Sequence, residues 1–212
     1  MLLYLYLRIF LPINSFADKI KVNGSSDISR PWSHIKHWLS PRLAKYWQST
    51  ISDKLYWQVN EVFVYGKTYK TPRMSAFLGS NNVTYRYSGL QHVGSGWPVW
   101  LIPLLNKVNK VSGEDFNGCL LNLYRDGLDS MGWHSDNEPE LDQKASIASV
   151  SLGIGRDLLL RSNDTKTSER LFLGNGDLVI FHPDCQKYWK HSLPKRRRVK
   201  EERINLTFRR YL

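Results

Sequence analysis

Cysteine is nearly missing from this chain: Cys119 and Cys185 are the only two in 212 residues, with no Cys-x-x-Cys pair. That excludes a cysteine-held metal finger, and two lone thiols read as reduced, in a cytoplasmic or nuclear setting rather than a secreted one. Acidic residues are also scarce, 19 against 30 lysines and arginines, for a formal net charge of +11. An excess of that size favours a polyanionic partner, with nucleic acid ahead of an anionic membrane. Internal repeats and low-complexity tracts are absent, and the length suits one domain with a sizeable core. Long apolar runs are few. Met1 to Pro12 is apolar apart from Arg8, but no basic residue precedes the run and no small-x-small cleavage site follows. It is too short to span a bilayer and is expected to be a core-packing N-terminal strand.

Aromatic side chains, by contrast, are plentiful. Eight tryptophans and eleven tyrosines lie interleaved with basic residues. Such faces suit the stacking of nucleobases, although the ordinary use of any one tryptophan is to fill the core.

Local patterns place the elements. Asn23 to Asp27 reads as a loop, and Ser40 as the cap of a helix with Pro41 in its first turn, running towards Ile51. Strand-like runs follow at Leu55–Val64 and Val83–Tyr87. Trp97 to Val111 reads as an amphipathic helix with Val99, Ile102, Leu105 and Val108 on one face, ended by Gly113. Short strands then recur near Cys119–Tyr124, Ser130–Trp133, Ser146–Leu152, Asp157–Arg161, Arg170–Leu173, Asp177–Phe181, Tyr188–Ser192 and Ile204–Phe208. That spacing predicts a mainly β fold, a jelly-roll sandwich or barrel.

The last of these strands carries chemistry. Arg203, Asn205, Thr207 and Arg209 alternate with Ile204, Leu206 and Phe208, so two guanidiniums share one face and require something anionic. Upstream, His134-Ser135-Asp136 holds an imidazole and a carboxylate two residues apart, on one side of a strand. They are two-thirds of the facial triad that binds non-haem iron(II) and leaves coordination positions open. Of the six histidines, His191 lies in an aromatic-rich run that reads as a strand edge, whereas His182 precedes Pro183 and favours a turn. His191 is therefore the expected third ligand. Either piece alone has a plain alternative, a solvated loop pair or surface arginines; it is their conjunction that points to a metal.

The same residues carry a family resemblance. Asn122 to Gly127, Gly132 to Glu138, Ala148 to Gly153, His191-Ser192-Leu193-Pro194 and the Arg-x-Asn-x-Thr-x-Arg tail resemble the AlkB family of Fe(II)- and 2-oxoglutarate-dependent dioxygenases. The likeness runs from about Val62 to the C-terminus. Val64 to Lys67, Thr71-Pro72-Arg73 and Tyr85 to Leu90 are most similar to the branch acting on double-stranded DNA. The resemblance implies a double-stranded β-helix with helices outside, divided as an N-terminal extension (1–55), a nucleotide-recognition lid (56–95) and a catalytic core (96–212). It implies Fe(II), 2-oxoglutarate and O2, and the oxidative demethylation of 1-methyladenine and 3-methylcytosine in DNA by a monomer. RNA is the alternative substrate, and a nucleic-acid-binding protein with an inactive metal site is the alternative from another class.

Roles follow residue by residue. His134, Asp136 and His191 would hold the iron. Arg203 and Arg209 would pair with the two carboxylates of 2-oxoglutarate, Arg203 with the distal one, because a dianion in a low-dielectric barrel needs charged partners. By resemblance Asn122, Tyr124 and Asn205 complete that site, with Thr207 as a further contact. Tyr85, Arg86 and Tyr87 sit where the family lines its base pocket, with Tyr87 stacking on the flipped base. Tyr65 takes the place of a wedge that fills the gap in the duplex, a tyrosine where the family has phenylalanine. Asn137 and Glu138 would read the base edge, and Arg73 and Arg170 are further substrate contacts. Lys195-Arg196-Arg197-Arg198-Val199-Lys200 reads as a phosphate-binding loop between the third ligand and the arginine strand.

Overall fold

Two antiparallel sheets enclose a polar cavity in a computed structural model that describes residues 30–64, 66–87, 90–165 and 167–212. The expected N-terminal strand and the loop at Asn23 to Asp27 lie outside these residues. In chain order the elements are β1 (Trp32–Ile35), α1 (Pro41–Lys54), β2 (Glu61–Val64), β3 (Lys67–Lys70), β4 (Met74–Gly79), β5 (Thr84–Tyr87) and β6 (Leu90–Val93). A 3-10 turn at Val99–Leu101 leads into α2 (Ile102–Ser112), then β7 (Gly118–Tyr124), β8 (Met131–His134), β9 (Ile147–Gly153), β10 (Arg156–Ser162) and β11 (Ser168–Leu173). The chain closes with β12 (Leu178–Phe181), α3 (Pro183–Tyr188), β13 (Trp189–Leu193) and β14 (Arg203–Arg209). The large sheet has the order β1-β12-β9-β14-β7-β4, the small one β11-β10-β13-β8, and β2-β3 and β5-β6 form two separate hairpins.

The alternation in β14 is explained by its central place between β9 and β7. Ile204, Leu206 and Phe208 join the main core with Leu121, Leu123, Val150 and Leu152 from the flanking strands. Above that face lie α1, burying Ala44, Trp47 and Ile51, and α2, burying Leu104, Leu105 and Val108. Each such aliphatic burial stabilises by about 1.5–3 kcal/mol. The opposite face of the same three strands carries Asn122, Tyr124, Ser149, Arg203, Asn205, Thr207 and Arg209, and it lines the cavity.

The helices follow their local signals with one shift. Ser40 caps α1 as expected, its hydroxyl accepting from the Leu43 backbone N–H at 3.4 Å, and Gly113 ends α2 with φ of 72°. The 3-10 turn rotates the apolar stripe, so that Leu101 and Leu104 face inward while Val99 is 86% exposed. The run from Leu55 is a strand only from Glu61; before it the chain makes a single bridge, Gln58 to Ser75.

Arg156 ties the rim of the cavity together. Nearly inaccessible, it donates to the carbonyls of Asp126 (3.0 Å), Asp129 (3.0 Å) and Pro194 (2.8 Å), joining the β7–β8 loop to the β13–β14 loop. Gly127 makes that junction possible: a Cβ there would stand 1.7 Å from the Arg196 carbonyl oxygen. Arg156→Met strands three carbonyls and is expected to cost roughly 2–4 kcal/mol. Urea unfolding measures it, and a loss below about 0.5 kcal/mol, the scale of an ordinary surface change, would show that the loops hold without it.

Candidate active site

The end of β8 and the middle of β13 bring two imidazoles together, their planes tilted by 56°. His134 and His191 are direct cross-strand partners, with ring centroids 4.2 Å apart. Asp136 lies just beyond the end of β8, so the pair is not presented from a continuous strand as the two-residue spacing suggested. Its backbone N–H donates to Gln186 Oε1 on α3 at 2.8 Å, which turns the carboxylate back towards the histidines. One ligand atom from each of His134, Asp136 and His191 falls within 4.8 Å of the others. The Gly132 carbonyl lies 2.9 Å from His134 Nδ1 and favours the tautomer that leaves Nε2 bare towards Asp136. His182 sits elsewhere, its Nε2 3.1 Å from Ser33 Oγ.

Electrostatics prepare this cluster for a cation. Burial, and then the neighbouring His134, push His191 down to about 3, so it is a neutral imidazole. Burial opposes the Asp136 charge, but the Arg209 guanidinium beside it outweighs burial and holds the carboxyl below its usual range. Arg209 Nη2 lies 2.8 Å from Asp136 Oδ2, both buried. Two imidazole nitrogens and one carboxylate on one side of a cavity are the donor set of a non-haem iron(II) centre.

Across the cavity Arg203 is 2% exposed. Its Nη2 donates to Ser151 Oγ at 2.9 Å and its guanidinium carbon lies 5.5 Å from the centre of the Tyr124 ring. Among the described residues its Nε has no acceptor and no carboxylate pairs with it. Burial lowers its pKa to about 10. An isolated buried cation is costly unless a ligand neutralises it, and a dicarboxylate would do so. Around it, Asn205 Nδ2 donates to Ser149 Oγ at 2.8 Å, Thr207 Oγ1 to Asn205 Oδ1 at 3.4 Å, and Asn122 Oδ1 accepts from Arg73 Nε at 2.9 Å. These residues fit a bound 2-oxoglutarate.

Several sequence expectations need correction. Tyr85 does not line an open base pocket: it is wholly buried, its hydroxyl donating to Glu138 Oε1 at 2.9 Å and accepting from Arg209 at 3.4 Å. Arg73 is 5% exposed and supports Asn122 rather than reaching outward. Arg209 is committed to Asp136 as much as to any ligand. Arg170 is exposed on edge strand β11 and is absent from the cavity wall. Asn137 is exposed beside the cluster and Glu138 half-buried, with Oε2 lacking a partner among the described residues. Tyr65 and the side chains of Arg86 and Tyr87 lie outside the described residues. Ser149, Ser151 and Gln186, which position the polar groups, carried no assigned role; the two serines lie in the Ala148–Gly153 stretch that carried the resemblance, and Gln186 had no signal in the sequence.

Fold and cavity together define an iron(II)- and 2-oxoglutarate-dependent dioxygenase. The description "2OG-Fe(II) oxygenase superfamily" matches residues 32–209. The chain is 34% identical over 210 residues to the DNA oxidative demethylase ALKBH2 of Mus musculus, covering 89% of this chain and 88% of that protein. Against the Homo sapiens protein of the same name it is 38% identical over 159 residues, covering 71% of this chain and 61% of the other. The solved structure of OsALKBH1 superposes with a TM-score of 0.60 at 18% identity, over 87% of this chain and all of that one, a likeness of fold. The chain belongs to this superfamily, and within it to the AlkB family.

Proposed function

We propose that the chain removes alkyl groups from damaged DNA bases, 1-methyladenine and 3-methylcytosine first. The observation that carries the chemistry is Arg203, a buried guanidinium without a carboxylate partner among the described residues, sharing one cavity with the His134–Asp136–His191 cluster. The similarity to proteins named as DNA oxidative demethylases, and the net charge of +11, support nucleic acid as the substrate. Iron(II), when bound, supplies oxidation of the N-methyl group by O2, with 2-oxoglutarate converted to succinate and CO2 and the methyl leaving as formaldehyde.

The residues then divide the work. His134, Asp136 and His191 hold the metal. Arg203 takes the distal carboxylate, with Asn122, Tyr124, Asn205 and Thr207 shaping the rest of the co-substrate site. Arg209 keeps Asp136 ionised and turned into the cluster, and Tyr85 fixes Arg209 and Glu138 together. Glu138 and Asn137 face the base edge, where a carboxylate favours the cationic ring of a methylated base. Segment 56–95 supplies the lid; β4 within it is hydrogen-bonded into the large sheet, so the lid is stitched to the core. The Lys195–Lys200 loop holds phosphates, and the protein works as a monomer.

An oligonucleotide with one 3-methylcytosine tests the reading. In air with iron(II) and 2-oxoglutarate it should lose the mass of one methylene; a strand that keeps its methyl group would overturn the proposal.

Tyr65 is proposed as the duplex wedge. Flipping a base costs a few kcal/mol, part of which a side chain filling the gap recovers, and a single strand has no gap to fill. Tyr65→Ala should slow repair of duplex by about tenfold more than repair of single strands, as expected from 1–2 kcal/mol of lost support. Equal losses on both substrates would make Tyr65 merely structural.

A further inference from the structure

The small sheet has a second face, turned away from the cavity, and its side chains have no part in the site described above. Opposed residues of an antiparallel pair point to the same side. Arg161 opposes Lys190, Leu159 opposes Arg170, and Asp157 opposes Phe172, while the intervening Leu158, Leu160 and His191 point inward. Trp133 precedes the inward His134 and so faces outward. The Arg161 guanidinium carbon stands 4.4 Å from the centre of its ring.

Two aromatic planes therefore border a row of cations. Trp133 is 40% exposed and Phe172 60%. Phe172 rests on the bare backbone of Gly155, where an added Cβ would approach the ring to 2.3 Å. One exposed aromatic is ordinary, but two beside exposed Arg161, Lys190 and Arg170 make a pattern. The acid opposite Phe172, Asp157, is already neutralised by Arg196, whose Nη2 and Nε lie 2.8 Å and 3.1 Å from one carboxylate oxygen. Arg196 belongs to the Lys195–Lys200 loop, so its pair with Asp157 joins that loop to the edge of this face.

We propose that this face is a second nucleic-acid contact, which holds an unpaired stretch of the strand whose damaged base enters the cavity. Phosphates lie on Arg161, Lys190 and Arg170, and bases stack on Phe172 and on the Trp133–Arg161 pair. A single strand fits better than a duplex, because only unpaired bases offer their planes to aromatic rings and guanidiniums. The inference rests on nucleic acid being the substrate, and it adds a surface that keeps long strands attached.

Fluorescence anisotropy of the full chain with a labelled, lesion-free DNA strand of about 16 nucleotides tests it. Joint Arg161→Glu and Lys190→Glu substitution should weaken binding about tenfold and flatten the dependence of log affinity on log salt by roughly 1.4, two phosphate contacts at about 0.7 each. Trp133→Ala should weaken binding about tenfold through lost stacking and leave the salt slope unchanged. Demethylation of a methylated trinucleotide, too short to reach the face, should be the same in all three proteins. Unchanged affinity and slope in the double variant would overturn the proposal. A trinucleotide left methylated by the unaltered protein would instead sink the proposed function, with the anisotropy result still deciding the face.

Discussion

Arg203→Met should end 2-oxoglutarate use and, without co-substrate, should make the protein more stable. The guanidinium is buried, and among the described residues its company is one hydrogen bond to Ser151 and the face of Tyr124. Replacing a buried charge by an apolar chain of similar volume is often stabilising, by about 1–4 kcal/mol. The same change removes the partner of a buried carboxylate, which costs roughly 2–5 kcal/mol of binding. Thermal unfolding with and without 2-oxoglutarate reads both effects. The unaltered protein should gain stability on adding the co-substrate, and the variant should start higher and gain nothing. A variant that starts lower and still responds would make Arg203 a structural residue.

Asp136→Ala should have two separable consequences. Turnover should vanish, because two imidazoles alone leave the metal without its anionic ligand. Stability should also fall by about 3–5 kcal/mol, because Arg209, 3% exposed, loses its carboxylate at 2.8 Å. His191→Ala should abolish turnover as well but with a smaller loss of stability, since its imidazole is neutral and pairs with no charge. Urea unfolding beside a turnover assay separates the two variants. Equal stability in both would mean that the Arg209–Asp136 pair does not hold the site together. Turnover surviving in His191→Ala but not in His182→Ala would move the third ligand.

The parts of this site that were legible in the sequence are those where local period and tertiary surroundings agree. The β14 strand alternates because its faces meet different environments, helices on one side and the cavity on the other, so its polar set could be read directly. His191 was separable from His182 because proline follows the latter and disfavours a strand. The Ser40–Pro41 cap is a purely local signal.

What escaped was decided at long range. Nothing in Trp32–Ile35 announces that it pairs with Phe181 to Leu178 at the far edge of the large sheet, and β4 reaches β7 across some forty residues. Tyr85 and Arg73 read as substrate contacts through the family resemblance, which places residues along the chain without giving their burial. Here each is buried by a partner distant in sequence, Glu138 for one and Asn122 for the other. Gln186 looks like a polar residue of a short helix, and only the return of α3 beneath Asp136 gives it a task.

The central claim is that one cavity couples the oxidation of 2-oxoglutarate to the removal of a methyl group from DNA. Succinate and formaldehyde quantified in the same reaction with 3-methylcytosine DNA test it most directly. The account predicts that the two form in equal amounts, and that both disappear in Asp136→Ala. Formaldehyde released without 2-oxoglutarate, or by the Asp136 variant, would contradict it.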